Sequence, residues 1–541
     1  MRYAFKVFAL LSLLVLGLKA QTWAGLSTYG GTNYDQMWAI DFMGGTTPVL
    51  GMFTISYSIS GSDEDYVLIT PSWQKVIGNT GGRDDWMYKT QWLNSGNIVV
   101  GGAWCNDGGA GPGSCYAPLY GFVVGLNSSG NFLWGRHLDF SNLWGCSGNT
   151  NRQTRVMHVS PTSDGGFLAA GFLTYNIDDG WGSCITNDAD GFIAKFNSTA
   201  NLQWIRIVDW AADWNIATTA FETTDGNYVL LAPSWYEVGV LKFDPSGSLI
   251  WQRRYPRSIA TSTITFSWGK LTSDGGFILA THIAGSGDDA LFMKFNSSGN
   301  FVCAAVISTS GNDYGIDVVE GPNWYWMTGS LGVSGNDLFI AKIRKTDCNV
   351  IEVRRLLSGA DEQGRSMDIR PVTGIPYVAG YTNNTAWSVG NYDGLVAADS
   401  GGLDTCYWRN YSPTITYPTF SASGSFTVYY PSMSTSGYTV SVQNISVARR
   451  INCGLDPLGE GDEELGMDER FVSCEINYTV IGNNLRLRVK SERGVDVKIY
   501  TPNGVKVFDE GFVKSGVYNI PLRRGVYFLK AGGKTEKIVI L

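Results

Sequence analysis

Apolar and polar residues alternate in short runs from residue 22 to the end of the chain, with Gly, Ser, Asn and Asp turns between them. The three-to-four spacing of amphipathic helices is nearly absent. Runs of this kind bury one face each, so the pattern predicts an all-β protein. Two phrases recur. SDGGFLAAGFLT (163–174) returns as TDGNYVLLAPS (224–234) and SDGGFILATHI (273–283), with a looser copy, NSGNIVVGGAW, at 94–104. Each is followed by a phrase such as DGFIAKFNSTANLQWIRIV (190–208), with further copies beginning at residues 120, 239, 289 and 337. Lys195, Lys242, Lys294 and Lys342 align in these copies. A period of about fifty residues with four strands per unit is that of a β-propeller blade.

The turns have a mechanical reading. In S-D-G-G the Asp bonds the backbone two residues on while Gly takes a positive φ, linking the first two strands of a blade; N-S-S-G-N does the same for the last two. Trp134, Trp204, Trp251 and Trp408 follow the second turn and are expected to pack between neighbouring blades. Inner-strand entries near Asp35, Asp85, Arg155, Thr218, Thr265, Tyr314 and Arg365 count seven blades. Outermost strands number one more, beginning near Trp23, Trp73, Trp134, Trp204, Trp251, Cys303, Ile351 and Trp408. An open ring would leave two bare sheet edges, so the strand around 22–31 is assigned to complete the last blade. The expected organisation is a signal peptide (1–20), a seven-bladed propeller (21–411), a β-rich extension without a place (412–453), an acidic linker (454–467) and a C-terminal β-sandwich (468–541).

Both ends point to export. Arg2 and Lys6 precede an apolar run at 7–18, too short for a comfortable membrane span, and this reads as a secretory signal peptide. At the other end LRLRV (485–489), VKIYTPNGVKV (497–507), SGVYNIPL (515–522), GVYFLK (525–530) and KIVIL (537–541) predict a small antiparallel sandwich. Through Ile499, Tyr500, Gly504, Val507, Gly516, Tyr518, Gly525, Val526, Tyr527, Phe528, Lys530 and Lys537, this tail resembles the type A C-terminal sorting domain of the bacterial type IX secretion system. The resemblance implies the type IX machinery as a partner, a secreted or outer-membrane-surface location in a Gram-negative bacterium, and loss of the tail on maturation. The repeats resemble the extracellular propeller repeats (delta-60-like) of secreted bacterial proteins with such tails, which speaks to fold and little to function. Their S-G-N-x-x-W wording is also similar to pyrroloquinoline-quinone-type repeats, yet the Ala and Asp of that pattern are not repeated and no quinone is expected.

Charge and cysteine usage narrow the partners. A formal net charge of -8 without a basic tract argues against nucleic acid. The nine Cys show no C-x-x-C or Cys/His spacing, so neither a metal nor another cofactor is expected, and disulfides are the better reading. Cys105 and Cys115 flank one loop, Cys146 and Cys184 fall in loops of one repeat, and Cys303 and Cys348 lie at the same end of adjacent blades. The first four collect on the face opposite the uniform hairpins, where loops are long and irregular. Such loops are where binding is usually carried. They contain Trp104, Asp107, Tyr116, Trp144, Asp178, Asp179, Trp181, Asp188, Trp387 and Tyr392. Of these, Trp104, Tyr116, Trp144, Asp178, Asp179, Trp181 and Trp387 are the candidate binding residues, since rings stack on a sugar's C–H face while carboxylates accept from its hydroxyls. The competing reading is that the rings fill loop cores. His137, His158 and His282 occupy unrelated repeat positions, and no catalytic residue is assigned. The expectation is a non-catalytic propeller that binds an extracellular glycan or protein. The alternatives are a polysaccharide hydrolase or lyase on the same scaffold, and a structural surface-layer or adhesion protein.

Overall fold

Asp164, Asp225 and Asp274 build the first hairpin of three repeats in one way. Asp164 Oδ1 accepts from Gly166 N at 3.0 Å and from Thr162 Oγ1 at 2.6 Å, and Gly165 takes φ +83°. The same carboxylate holds Lys195, from the third strand, at 2.8 Å; Asp225–Lys242 (2.7 Å) and Asp274–Lys294 (2.8 Å) repeat the pair. The aligned lysines thus recur because each buried ammonium needs the turn's acid. In the fourth copy the hairpin residues 321–323 are Gly-Pro-Asn, and Lys342 lies instead over the Trp324 ring, 4.7 Å from its centroid.

The second hairpin explains the tryptophans. Asn127, Asn197 and Asn296 each accept from backbone N–H groups two and four residues on. The residue before the last of these takes a positive φ, at Gly130 (+73°), Ala200 (+58°) and Gly299 (+76°). The preceding repeat's Trp packs onto this backbone: Trp73 on Gly130, Trp204 on Gly247 and Trp251 on Gly299, too close for any added side chain. Trp73 and Trp204 also donate to the carbonyls of Ser128 (2.8 Å) and Pro245 (2.9 Å). At the next junction Cys303 stands where Trp stands elsewhere and Cys348, at φ +58°, stands in the glycine position. The two form a disulfide with Cα atoms 5.9 Å apart.

In this computed structural model the described residues are most of 24–454 and the strands of 475–540; the longer segments outside them are 1–23, 106–118, 141–152, 179–183, 210–215, 257–265, 400–407 and 455–474, besides short turns. The chain divides into two units, Met1–Asp462 and Glu463–Leu541. In the first, five blades stand as separate antiparallel sheets. Sheet I holds Asp35–Met43, Thr47–Thr54, Asp65–Ile69 and Gln74–Gly78; sheet II holds Thr219–Glu222, Tyr228–Pro233, Glu237–Phe243 and Leu249–Pro256. Sheet III holds Gly269–Leu271, Phe277–Ala284, Asp288–Phe295 and Phe301–Ser308; sheet IV holds Tyr314–Glu320, Trp324–Leu331, Asp337–Arg344 and Val350–Leu356. Sheet V holds Glu362–Arg370, Ile375–Thr382 and Asp393–Asp399.

Between sheets I and II lies a ten-stranded double sheet of two four-strand meanders. One runs from Asp85–Trp92 to Phe132–Leu138, the other from Gln153–Pro161 to Leu202–Asp209, and a parallel pair, Gln153 with Leu119, fuses them. The expectation of seven separate blades is corrected accordingly: five blade sheets are free-standing, and that pairing merges the rest. The inner strands pack each against the next, and Glu362–Arg370 returns to Asp35–Met43, which makes the arrangement a closed propeller.

Closure uses both ends of the first unit. Ala24–Tyr29 pairs antiparallel with Asp393–Asp399 as the fourth strand of sheet V. The segment from Trp408, for which the sequence offered no place beyond residue 411, then runs backwards round the circumference as a belt. Trp408–Tyr411 adds to sheet IV, Thr414–Thr416 to sheet III, Thr427–Tyr429 and Ser436–Gly437 to the double sheet, Ser441–Asn444 to sheet I and Arg449–Gly454 to Ala24–Tyr29. Outer strands left bare would present unpaired N–H and C=O groups; the belt pairs them. Trp408 is therefore not a repeat of Trp204 but the belt's first residue, fully buried. Among the described residues, only the outer strand of sheet II lacks a belt strand.

The second unit has two antiparallel sheets. Glu475–Ile481, Asn484–Lys490 and Gly516–Pro521 form one, and Lys506–Val513, Val495–Tyr500, Gly525–Ala531 and Lys534–Ile540 the other. Tyr500, Gly516, Tyr518, Gly525, Tyr527, Lys530 and Lys537 all lie on these strands, Tyr527 buried; Gly504 lies outside the described residues.

Candidate functional site

The ring axis gathers more chemistry than the loops do among the described residues. Five inner strands carry a register shift at the same point, between Met37 and Ala39, Met87 and Lys89, Val156 and His158, Gly315 and Asp317, and Gly364 and Ser366. A bulge re-aims the extra residue, here Trp38, Tyr88, Met157, Ile316 and Arg365. Tyr88, Met157 and Ile316 are buried in one cluster with Trp268, and Trp38 and Phe266 pack against it. Arg365 joins them with its guanidinium carbon 4.4 Å from the Phe266 ring centroid, 4.9 Å from Trp38 and 5.4 Å from Tyr381.

Inner strands enter from the face of irregular loops, so the residues around and before the bulges form a mouth on that face. Tyr34, Tyr392 and Tyr381 adjoin in sequence there, with centroids 5.0 and 5.4 Å apart, the first pair tilted at 57° and the second edge-on at 78°, all half-buried. Tyr34 is held in place by Gln36, whose Nε2 donates to its hydroxyl at 2.6 Å while its Oε1 accepts from Trp38 Nε1 at 3.1 Å. Tyr381 donates to Gln363 Oε1 at 3.0 Å. Arg155 lies over Trp86 (5.3 Å) and Phe172 (5.6 Å) and donates to Tyr88 Oη at 3.1 Å. Trp86 Nε1 donates to Glu64, whose burial pushes its carboxyl up to about 8. At neutral pH the mouth therefore has two arginines and a protonated acid.

Trp268 lies beneath the mouth, 2 % exposed, with Nε1 donating to Arg365 O at 3.1 Å. Deeper, Lys89 Nζ lies 3.4 Å from Asp317 Oδ2 and donates to Ser366 Oγ at 2.9 Å, and both ionic side chains have 0 % exposure. Asp317 also accepts from the backbone of Met367 and Val318, each at 2.8 Å. Burial, with Lys89 and Lys270 nearby, holds the His158 imidazole well below its usual range, so it is neutral. Toward the hairpin face, Asp41 accepts from Trp92 N (2.8 Å) and Asp368 from Phe42 N (2.9 Å). Burial and the neighbouring Asp368 hold Asp41 up at about 7. Burial works against the charge on Lys270, but Asp368, Asp317 and Asp41 outweigh it and raise its pKa. Two lysines thus face three carboxyls, burial lowers the pKa of Lys89, and the raised Asp41 and Asp368 share a proton between them.

That shared proton has a measurable consequence. Asp41 in the unfolded chain releases its proton near pH 4, whereas the folded protein keeps it to about 7. Its stabilising contribution is complete below the unfolded value and fades as pH rises through 7. Glu64 and Glu362, each held near 8 chiefly by burial, act with the same sign. Urea unfolding midpoints are expected to fall between pH 5 and pH 8.5. Asp41→Asn, which keeps an acceptor for Trp92 N, is expected to be the more stable form at pH 8 by about 1 to 2 kcal/mol; a wild-type advantage there would contradict the assignment.

The candidate binding residues read from the loops fare differently. Trp104 lies in the strand Ile98–Cys105, not in a loop; it is 7 % exposed and stacked against Tyr120 and His137 at 5.1 and 5.0 Å. Trp387 is buried with Leu26, Trp326 and Trp408, and its carbonyl accepts from Thr28 Oγ1 at 2.8 Å. Both are corrected to core residues, Trp104 because it is part of a strand and Trp387 because its ring packs inward from a turn. Asp178 and Asp188 lie on an extended hairpin, Phe167–Asp178 with Cys184–Phe196, so Cys184 opens a strand opposite Asp178. Tyr116, Trp144, Asp179, Trp181, Cys115 and Cys146 lie outside the described residues. Cys105 is disulfide-bonded, and Cys303–Cys348 is observed. Among the described residues, no cluster of three His, Cys, Asp or Glu is disposed to hold a metal, and no helix is long and apolar enough to cross a membrane.

The chain matches no protein-family profile and no curated protein. Among solved structures it is similar to the NanB sialidase of Streptococcus pneumoniae, with 7% identity and a TM-score of 0.38 over 72% of this chain and 96% of that one. A protein of unknown function from Dyadobacter fermentans gives 8%, 0.39, 69% and 98%. The hemagglutinin-neuraminidase ectodomain of parainfluenza virus 5 gives 8%, 0.34, 74% and 96%. Likeness at this level carries no argument about chemistry.

Proposed function

We propose that the chain is an exported, non-catalytic propeller that binds an extracellular glycan at the loop-face mouth of its axis. The observation that carries this reading is the tyrosine row Tyr34, Tyr392 and Tyr381 beside the ring-enclosed Arg365. Flat rings suit the C–H faces of sugars, and the neighbouring amides and arginines suit their hydroxyls. In this reading the double sheet works as two blades, giving seven round the ring. The apolar run at 7–18 supports a cleaved signal peptide. The tail's resemblance supports recognition of residues 468–541 by type IX machinery and release to, or retention at, the outer-membrane surface.

A glycan-array screen of the mature chain, run beside an assay for newly released reducing ends, tests the reading. Binding without release is expected, and Tyr392→Ala is expected to weaken it at least tenfold while leaving the fold intact. Capture of a protein but no glycan would overturn it. A second reading, acid–base cleavage of a polysaccharide, is favoured by the Asp41–Asp368 pair with Lys270 on the hairpin face. Sugar release abolished by Asp41→Asn would establish that reading instead.

A further inference from the structure

Arg365 is placed in an unusual way for a guanidinium. Aromatic rings cover its faces, which stabilises the cation through their quadrupoles. Its edge is different: a side-chain hydrogen bond joins it to Tyr381, Nε is buried without a hydrogen-bond partner, and among the described residues no carboxylate pairs with Arg365 or with Arg155, which donates to Gln153 Oε1 at 2.9 Å. Every arginine is a planar fork of in-plane donors that stacking leaves unsatisfied, and a carboxylate is the group that fits two of them at once. Glu64, the acid beside Trp86, does not supply that group, since one oxygen accepts from Trp86 Nε1 and burial holds the carboxyl up at about 8, protonated at neutral pH. Arg155 is joined to the same mouth through Tyr88, whose ring lies 5.7 Å from Trp38. A chain of net charge -8 thus holds two arginines, neither of them neutralised by a described acid, against aromatic rings at one opening.

We infer that the glycan bound at the mouth carries a carboxylate, as uronic acids and other acidic sugars do. The carboxylate meets the Arg365 edge, and the sugar ring lies against the face of Tyr381 or of its edge-on neighbour Tyr392. Arg155 gives the opening a second positive charge toward the neighbouring residue of an acidic chain. The inference rests on the glycan-binding reading above and narrows it to one chemical class.

Calorimetric titration of the mature chain with short oligosaccharides of galacturonate, glucuronate, mannuronate and sialic acid, each beside its methyl ester, tests it. At least one acid is expected to bind, its ester at least about tenfold more weakly, since a charge-assisted bidentate pair is lost with the sugar unchanged. Arg365→Met is expected to bring acid and ester to the same affinity. If that variant does not fold, the comparison of acid with ester on the unaltered protein still decides. Equal affinity for acid and ester overturns the carboxylate inference and leaves glycan binding standing. Binding only of neutral glycans on the array does the same, and binding of no glycan at all overturns both.

Discussion

Deletion of residues 22–31 is expected to abolish cooperative folding of the propeller. The strand Ala24–Tyr29 is held on both edges, by Asp393–Asp399 and by Arg449–Gly454. Leu26 and Tyr29 are 0 % and 2 % exposed, and Thr28 ties the strand to Trp387. Loss of two such core side chains costs about 5 kcal/mol or more, a large part of the 5–15 kcal/mol that typically separates folded from unfolded states. The belt's last strand loses its partner as well, and two sheet edges open to other chains. Chemical denaturation with size-exclusion chromatography would read this out as aggregation or as a lost unfolding transition. A soluble monomer with the wild-type midpoint would show that the ring does not depend on this strand.

The second large effect is expected at Lys89. Replacing it by Met fits an apolar stem into the same space but takes from the fully buried Asp317 the ammonium it pairs with, leaving only the more distant influence of Lys270. Removing one member of a buried pair typically costs about 3 to 5 kcal/mol. The double variant Lys89→Met with Asp317→Asn removes the stranded charge but keeps one acceptor oxygen where Met367 N and Val318 N use two, so it is expected to recover part of that loss. Urea denaturation of the two variants measures it. A single variant within about 1 kcal/mol of wild type would mean that water or another group already satisfies Asp317.

What could be read from the sequence was whatever repeats. The Asp-Gly and Asn-Gly turns, the aligned lysines and the inter-blade tryptophans are local solutions used several times, so their spacing exposes them. The strand near Trp23 was legible by counting, because one outermost strand was left over. The belt was not: Thr414–Thr416 and Ser436–Gly437 are too short for any period, and they are strands only because an outer edge is there to pair with. The site at the mouth was hidden for a related reason. Five inner strands contribute one bulge residue each, and Trp38, Tyr88 and Arg365 have no common chemistry that would mark the position. Trp104 and Trp387 were misjudged because sequence does not distinguish an exposed loop ring from a buried one: Trp104 is near the end of a strand, and Trp387 is in a turn whose ring enters the core. The merging of two meanders by Gln153 and Leu119 depends on a single parallel contact that no pattern announces.

Where an acidic oligosaccharide settles tests the carboxylate site most directly. A crystal structure of the mature chain with the tightest-binding acid of the titration series would locate it. The predicted result is a carboxylate within hydrogen-bond distance of the Arg365 edge, with the sugar ring over Tyr381 or Tyr392. Density at Asp41 and Asp368 on the hairpin face, with the loop-face mouth empty, would contradict it.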